Sequence, residues 1–319
     1  MISALSIGSL TLDLFFQDPS LTVKDNRFYL AIGGKYVTEE FAQSLGGGGA
    51  NVAIGLSRLG IKTALFSEMG TIGVSTLIRE KLRDEEIDMS LVLAREKFAN
   101  VSAILLSEKG ERTIINHRSH HTDLKLTSEV EKTLEKVKLL YLGNMPEMSL
   151  TMREEILKLS AAAGNIRVAN LGVKDCRLGI TKLHRLLKRL NVLILNRFEL
   201  ADLLGLEINE VHPHKVNYTR KFPFAEGSVL VVTDGEFGSY AQTQSEIYFQ
   251  KALPVKVKDA TGAGDAFTSA FTAAMFYGKN IEDALFLGAK NAHSVLQVIG
   301  AQDGLLKKEK LFTSLYANI

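Results

Sequence analysis

Cysteine is almost missing from this chain. The single Cys176 cannot close an intrachain disulfide, which excludes a disulfide framework and suits a reducing, cytoplasmic setting. Five prolines in 319 residues leave no room for proline-rich linkers. No run of about 18 apolar residues occurs, so no membrane span is expected. Met1 to Phe16 is apolar but has no basic start and is interrupted by Asp13, so it is expected to be a strand and not a signal peptide. An excess of either charge is lacking as well. Lys and Arg number 38 against 36 Asp and Glu, and the net charge of +2 gives no electrostatic footprint for nucleic acid. Two nucleotide-binding fingerprints are absent: no G-x-x-x-x-G-K-[ST] loop, and no G-x-G-x-x-G after the first strand, which ends at Gly8-Ser9-Leu10.

What is present is ordinary globular composition, 46% hydrophobic and 23% charged, with a strand–helix rhythm. Residues 2–9 alternate and predict a first strand. From Thr63 onward, apolar runs at 63–67, 91–93, 138–142, 166–170, 191–195 and 229–233 read as strands. Helical stretches at 74–83, 150–163, 177–190 and 197–204 lie between them. Strands of Val, Leu and Ile alternating with helices mean a mainly parallel sheet covered on both faces. Other segments fall outside this rhythm. Phe28–Ile32 and Tyr36–Thr38, around Gly33-Gly34, predict short strands or a hairpin. Val101–Leu106 and Arg112–Asn116, around Glu108-Lys109-Gly110-Glu111, predict a second hairpin. Together they imply a small separate sheet. His212-Pro213-His214 and His120-His121 have no Cys or carboxylate partner at ligand spacing and read as surface loops. The basic helix face of Lys182, Arg185, Lys188 and Arg189 reads as solvated.

The chemistry concentrates at Asp259-Ala260-Thr261-Gly262-Ala263-Gly264-Asp265-Ala266-Phe267. The alternating Leu253–Lys258 before it predicts a strand, and Ala266–Tyr277 after it predicts a buried helix. A glycine-rich turn entering a helix presents unpaired N–H groups and the positive end of the dipole, an anion cradle. A tight turn with a glycine cap would have the same residues. Asp265 inside the cradle suits phosphoryl transfer, where a group must accept the hydroxyl proton. Those N–H groups predict a low pKa for Asp265.

These nine residues resemble the C-terminal signature of the ribokinase-like (PfkB) carbohydrate kinases. Gly46-Gly47-Gly48-Gly49-Ala50-Asn51, leading into the helical Val52–Gly60, is similar to the family's N-terminal signature. On its own Asn51 reads as a ligand offering both donor and acceptor, with a flexible hinge and an N-cap Asn as the alternative. Asn196-Arg197-Phe198-Glu199 is similar to the family's N-x-x-E motif, and it also reads as a helix cap with its box partner. Thr233-Asp234-Gly235-Glu236-Phe237-Gly238 resembles the T-x-G-x-x-G element beside the nucleotide. The likeness runs from about residue 1 to residue 312.

The resemblance implies a single ribokinase-like α/β domain over 1–319, with lid strands inserted at about 12–45 and 98–118. It implies an ATP-dependent kinase acting on a hydroxyl of a small sugar or sugar acid. Asp265 would be the base, with the N–H groups of the Gly262-Ala263-Gly264 turn and of Asp265 as the anion hole. Asp13, which read alone is as well a turn Asp, would hold the sugar with Gly47, Gly48, Asn51 and Arg118. Thr233, Gly235, Gly238, Asn196 and Asn291 would line the nucleotide site, Asn291 together with His293 and Val295. Glu199 would hold Mg²⁺ largely through water, and a monovalent cation such as K⁺ would lie near Asp259 and Gly300-Ala301. Gly48 stands where ribokinases usually carry Lys, a departure that bears on whether the sugar is ribose. The spacing of Arg112 and Arg118 resembles the 2-keto-3-deoxygluconate kinase branch, with His117 in place of the expected aromatic residue. A homodimer through the lid strands near 28–43 and 101–117 is expected. A nucleoside kinase of the same fold and a non-catalytic sugar-binding regulator are the rival readings.

Overall fold

The computed structural model describes all residues except 26, 72, 97, 108–110, 120–123, 146–147 and 316–319. The expectations for His120-His121 and for the 108–110 turn therefore lie outside the described residues. In chain order come β1 (Ala4–Ile7), β2 (Thr11–Gln17), the two-residue pair β3 (Val23–Lys24) and β4 (Arg27–Phe28), β5 (Glu40–Gly46), α1 (Gly48–Arg58) and β6 (Thr63–Gly70). Next are α2 (Val74–Asp84), β7 (Val92–Arg95), β8 (Asn100–Leu106), β9 (Arg112–Arg118), α3 (Ser128–Leu134), β10 (Leu139–Leu142) and α4 (Leu150–Ala162). Then follow β11 (Ile166–Asn170), α5 (Val173–Cys176), α6 (Gly179–Leu187), β12 (Val192–Asn196), α7 (Arg197–Leu204) and β13 (Val229–Thr233). The hairpin β14 (Ser239–Gln242) and β15 (Ile247–Gln250) precedes α8 (Ala263–Phe276), α9 (Ile281–Val295) and α10 (Lys308–Phe312).

The large sheet runs β15-β14-β13-β12-β11-β10-β1-β6-β7, parallel throughout except for the β13-β14-β15 edge. Alternation along its strands sorts side chains to two cores. Leu5, Leu140, Leu142 and Leu193 face α3, α4, α6 and α7, among Ile156, Leu183 and Leu200. Ala4, Leu139, Tyr141, Val192 and Ile194 face α1, α8 and α9, among Leu56, Phe267 and Phe271. Being buried on both faces is why these strands are continuous in Val, Leu and Ile. None of the helices is long and apolar enough to cross a membrane, among the described residues.

A second sheet, β5-β2-β8-β9, is the small separate sheet that the sequence predicted. Its β8–β9 hairpin matches the expected second hairpin. The first expected hairpin is wrong. Only Phe28 lies in a strand, and the antiparallel partner of β2 is β5, whose Glu-Phe-Ala-Gln-Ser-Leu sequence has too little apolar alternation to be noticed. Leu253–Lys258 is not a strand either: among the described residues it pairs with no strand of any sheet. The helix after the glycine-rich turn begins at Ala263, three residues earlier than expected, so Ala263, Gly264 and Asp265 belong to its first turn.

Candidate active site

Two loops pack to form the turn before α8. The Asp259 carboxylate is 1% exposed and accepts hydrogen bonds from Thr261 N at 2.9 Å, Thr261 Oγ1 at 2.7 Å and Gly300 N at 3.0 Å. The guanidinium of Arg112, on β9, stands 3.5 Å away. Asp259 thus closes the turn and ties it to the segment after α9. Its carboxylate is committed there, so a cation near Asp259 would have to be met by main-chain carbonyls. Gly262 takes a φ of 76° as the residue before α8, and a Cβ there would collide with Ala301. Both facts demand glycine.

In the first turn of α8, the N–H groups of Gly264 and Asp265 meet no acceptor among the described residues. Gly264 has open space where a Cβ would be. The half-buried Asp265 carboxylate turns towards α1 and accepts from Asn51 Nδ2 at 2.7 Å. Burial pushes its pKa above the usual carboxylate value. The Asn51 hydrogen bond opposes this, and the facing Asp13 carboxylate adds to it. The expected low pKa is therefore incorrect. Among the described residues no main-chain N–H donates to the carboxylate, which receives one side-chain donor only, so desolvation prevails.

The start of α1 comes close to Asp265 because its residues are small. A Cβ on Gly48 would stand 3.3 Å from Asp265 Oδ1, and Gly47, at φ 89°, has Ser9 where a side chain would go. Asn51 is 4% exposed, and its other amide end accepts from Gln302 Nε2 at 2.9 Å. Asn51, which the resemblance puts beside the sugar, is thus held between Asp265 and Gln302 and keeps one amide hydrogen for another acceptor.

Asp13 lies on β2, paired with Ser44 on β5 and Ser102 on β8. It is buried and accepts from Thr11 Oγ1 at 3.0 Å. Burial raises its pKa, hydrogen bonds from Ser102 and Thr11 pull it back, Asp259 raises it further, and Arg118 opposes. Gly46 makes the room: a Cβ there would collide with the Asp13 carboxylate. Arg118 ends β9 opposite Asn100, and its guanidinium meets no acceptor among the described residues.

On the other side of Asp265 opens a cleft of about 690 Å³. Thr233, Gly235 and Gly238 border it with Ala263 and Gly264, as the sequence grouped them. Leu253, Pro254, Val255 and Phe267 form apolar walls. His293 also lines the cleft, its Nε2 3.1 Å from Pro254 O. Asn291 does not, which corrects the expectation. It is fully buried, donates to Ala266 O at 2.9 Å and accepts from Leu306 N at 2.9 Å, riveting α9 to α8. Val295 is likewise core.

Asn196 and Glu199 form a complete capping box on α7. Glu199 N donates to Asn196 Oδ1 at 2.8 Å, and Asn196 N donates to Glu199 Oε2 at 2.9 Å. Burial, against the pull of that N–H and with Asp265 and Asp202 adding, pushes the Glu199 carboxyl up to about 7. No group of three or more His, Cys, Asp or Glu could enclose a metal among the described residues. A single carboxylate at the start of α7 fits a hydrated Mg²⁺ and no tighter kind of site.

The sequence reading did not find Gln302, Ser102 or Tyr141. Gln302 follows Gly300-Ala301, a segment noticed only for its carbonyls. Tyr141 is buried at the end of β10 with its hydroxyl 3.8 Å from the position of a Gly48 Cβ. Asp265 and Glu199, after burial itself, hold its pKa well above the ordinary value.

The sequence model of the pfkB family carbohydrate kinases matches residues 1–308. The 5-dehydro-2-deoxygluconokinase of Listeria monocytogenes serotype 4a is 27% identical over 282 residues, which is 84% of this chain and 85% of that one. The ribokinase of Staphylococcus aureus is 25% identical over 299 residues, 93% of this chain and 94% of its own. The structure of Arabidopsis thaliana ribokinase complexed with ribose and ATP covers 99% of each chain with a TM-score of 0.80 at 23% identity.

Proposed function

The chain belongs to the PfkB family of carbohydrate kinases, phosphotransferases with an alcohol acceptor, and on that premise we propose that it moves the γ-phosphoryl group of ATP to a hydroxyl of a small sugar acid. The observation that carries this reading is one meeting point. The Asp265 carboxylate and the free N–H groups of Gly264 and Asp265 stand between the apolar cleft and the buried Asp13 and Asn51.

In this reading the acceptor hydroxyl gives its proton to Asp265 as its oxygen bonds to the γ-phosphorus and ADP leaves. A carboxyl raised by burial is a better base than an ordinary one. The free N–H groups of Gly264 and Asp265 take up charge on the transferred group. The nucleotide lies in the apolar cleft, with Thr233, Gly235, Gly238 and Asn196 at its phosphate end. Mg²⁺, when bound, offsets phosphate charge, and Glu199 is the residue that would hold it, largely through water. A monovalent cation such as K⁺ at the carbonyls near Asp259 belongs to the same reading. Asp13 accepts from sugar hydroxyls, and Gly47, Gly48 and Asn51 border the sugar.

Arg118 supports a sugar acid. Its guanidinium has no acceptor among the described residues, and its charge reaches Asp13. A planar fork of donors is suited to a carboxylate. The Listeria relative is named for a keto-deoxy sugar acid, the same class. A coupled ADP-release assay across keto-deoxy sugar acids, ketoses, pentoses and nucleosides tests this. A keto-deoxy acid should give the highest kcat/KM, and a nucleoside or ribose at the top would refute the substrate class.

The lid leaves Ile32, Val37, Phe41 and Ile115 more than half exposed, an apolar surface continuous with β5 and β9. Its covering by a second copy, as a homodimer in the cytoplasm, completes the proposal. Light scattering at micromolar concentration should return the dimer mass, and a monomer would reject that part.

A further inference from the structure

We infer that Gln302 is a positioning residue that fixes which end of the Asn51 amide faces Asp265; this rests on the reading of Asp265 as the base. An ionised carboxylate only accepts hydrogen bonds. Asn51 must therefore present its NH₂ group to Asp265, as it does at 2.7 Å. Its carbonyl oxygen then points the opposite way and needs a donor, which Gln302 Nε2 supplies at 2.9 Å. The polarity of the Gln302–Asn51–Asp265 chain follows from the carboxylate and can run in no other direction.

The residues around Gln302 hold it in that role. Asn51 and Gln302 are 4% and 6% exposed, so water cannot freely repair a mispaired amide. Arg58 NH1 donates to Gln302 O at 2.6 Å, and the Arg58 guanidinium is itself held by Glu85 at 2.9 and 2.5 Å. On the other side, Gly300 N is tied to Asp259 in the catalytic turn. Gln302 is thus fastened both to α1 and to the turn that carries Asp265.

If Asn51 reverses, its carbonyl oxygen faces the carboxylate and repels it. Asp265 then loses the one hydrogen bond that lowers its pKa, and it holds its proton to higher pH. Gln302→Glu offers acceptors only and should reverse Asn51. Gln302→Met keeps the length, offers nothing, and should merely release it.

The test is the pH profile of kcat/KM for the sugar substrate, with ATP KM, unfolding temperature and Asp265→Asn measured alongside. Gln302→Glu should move the acid limb to higher pH by about one unit, Gln302→Met should move it less, and ATP KM should hold in both because Gln302 does not line the cleft. An acid limb unmoved in both variants, with activity lost only in proportion to folded protein, makes Gln302 structural and overturns the inference. If Gln302→Glu does not fold, an unmoved limb in Gln302→Met overturns it alone. Near-normal turnover by Asp265→Asn removes the base assignment and the inference with it. An inactive Asp265→Asn beside unmoved Gln302 limbs removes only the inference.

Discussion

On one side of Asp265 the lining is dominated by glycine main chain and apolar side chains, among them Gly235, Gly238, Gly264, Pro254 and Phe267, with Thr233, Glu236, Ser239 and His293 as its polar members. On the other side stand Asp13, Asn51, Ser102 and Gln302, all buried and polar, in hydrogen-bonded pairs. In the proposed reading the first surface would bind through shape, contact area and N–H groups that every residue carries. The second requires particular side chains, because each buried polar atom must find its partner. Substitution should therefore act on the two sides differently, through backbone geometry on the nucleotide side and through chemistry on the sugar side.

Asp265→Asn tests the junction and carries the largest expected effect. It keeps shape but cannot take a proton, and kcat should fall about 10²–10⁴-fold. Binding of a non-hydrolysable ATP analogue should persist or tighten in calorimetry, since one negative charge has left the phosphate site. Loss of nucleotide binding along with turnover would break the division between the two sides.

Arg118→Ala tests the sugar side. A charge-assisted hydrogen bond is worth about 1.5–3 kcal/mol, so KM for the sugar acid should rise about 10–100-fold while KM for ATP stays put. Equal rises in both constants would remove Arg118 from substrate recognition.

Gly238→Ala tests the nucleotide side. Gly238 has φ 105° and ψ −147°, a region that is nearly glycine-only, and a Cβ would collide with Gln250 O. Unfolding free energy should drop by about 1–3 kcal/mol, with ATP KM affected more than sugar KM. A variant of unchanged stability would show that the cleft tolerates side chains where the backbone argument forbids them.

Glu199→Gln should have the smallest effect on the fold and a selective one on the metal. The magnesium needed for half-maximal rate should rise about tenfold, with sugar KM unchanged. Stability carries a second sign. The Glu199 carboxyl titrates near 7 in the folded chain against 4.5 when unfolded. Between those values the folded state holds the extra proton, so this group makes stability fall as pH rises from about 4.5 to 7. Glutamine can still accept the Asn196 N–H, so Glu199→Gln should keep the capping box and flatten that fall. Thermal melts at pH 5 and pH 8 measure it, and identical slopes in both proteins would mean that Glu199 is not desolvated.

The two sides also differed in how far they could be read from the sequence. The parallel sheet was legible because strands buried on both faces leave unbroken apolar runs, as at Val229–Thr233 and Val192–Leu195. The glycine-rich turn and the Thr233–Gly238 element were legible as turns because their positive φ angles leave glycines behind. Leu253–Lys258 misled for a related reason: its alternation marks a cleft wall on one side and solvent on the other, which is the pattern of a strand without the ladder. Partnerships between distant side chains left no trace. Gln302 lies 251 residues from Asn51, and nothing local in either segment reports the contact. Asn291 was placed in the cleft by its neighbours, yet it stands two residues before His293, about 200° round the helix, and so points into the core. The pKa of Asp265 was misjudged because its fold-specific burial, invisible in sequence, outweighs the helix start that the sequence does show.

The acid limb of kcat/KM in the wild-type enzyme, set beside that of Asp265→Asn, tests the central claim most directly. A recessed carboxyl facing Asp13 predicts a limb above the 3.8 of an ordinary aspartate, and that limb should vanish from whatever residual activity Asp265→Asn retains. A limb at the same pH in both proteins would contradict the account, because the proton would then be going to another group.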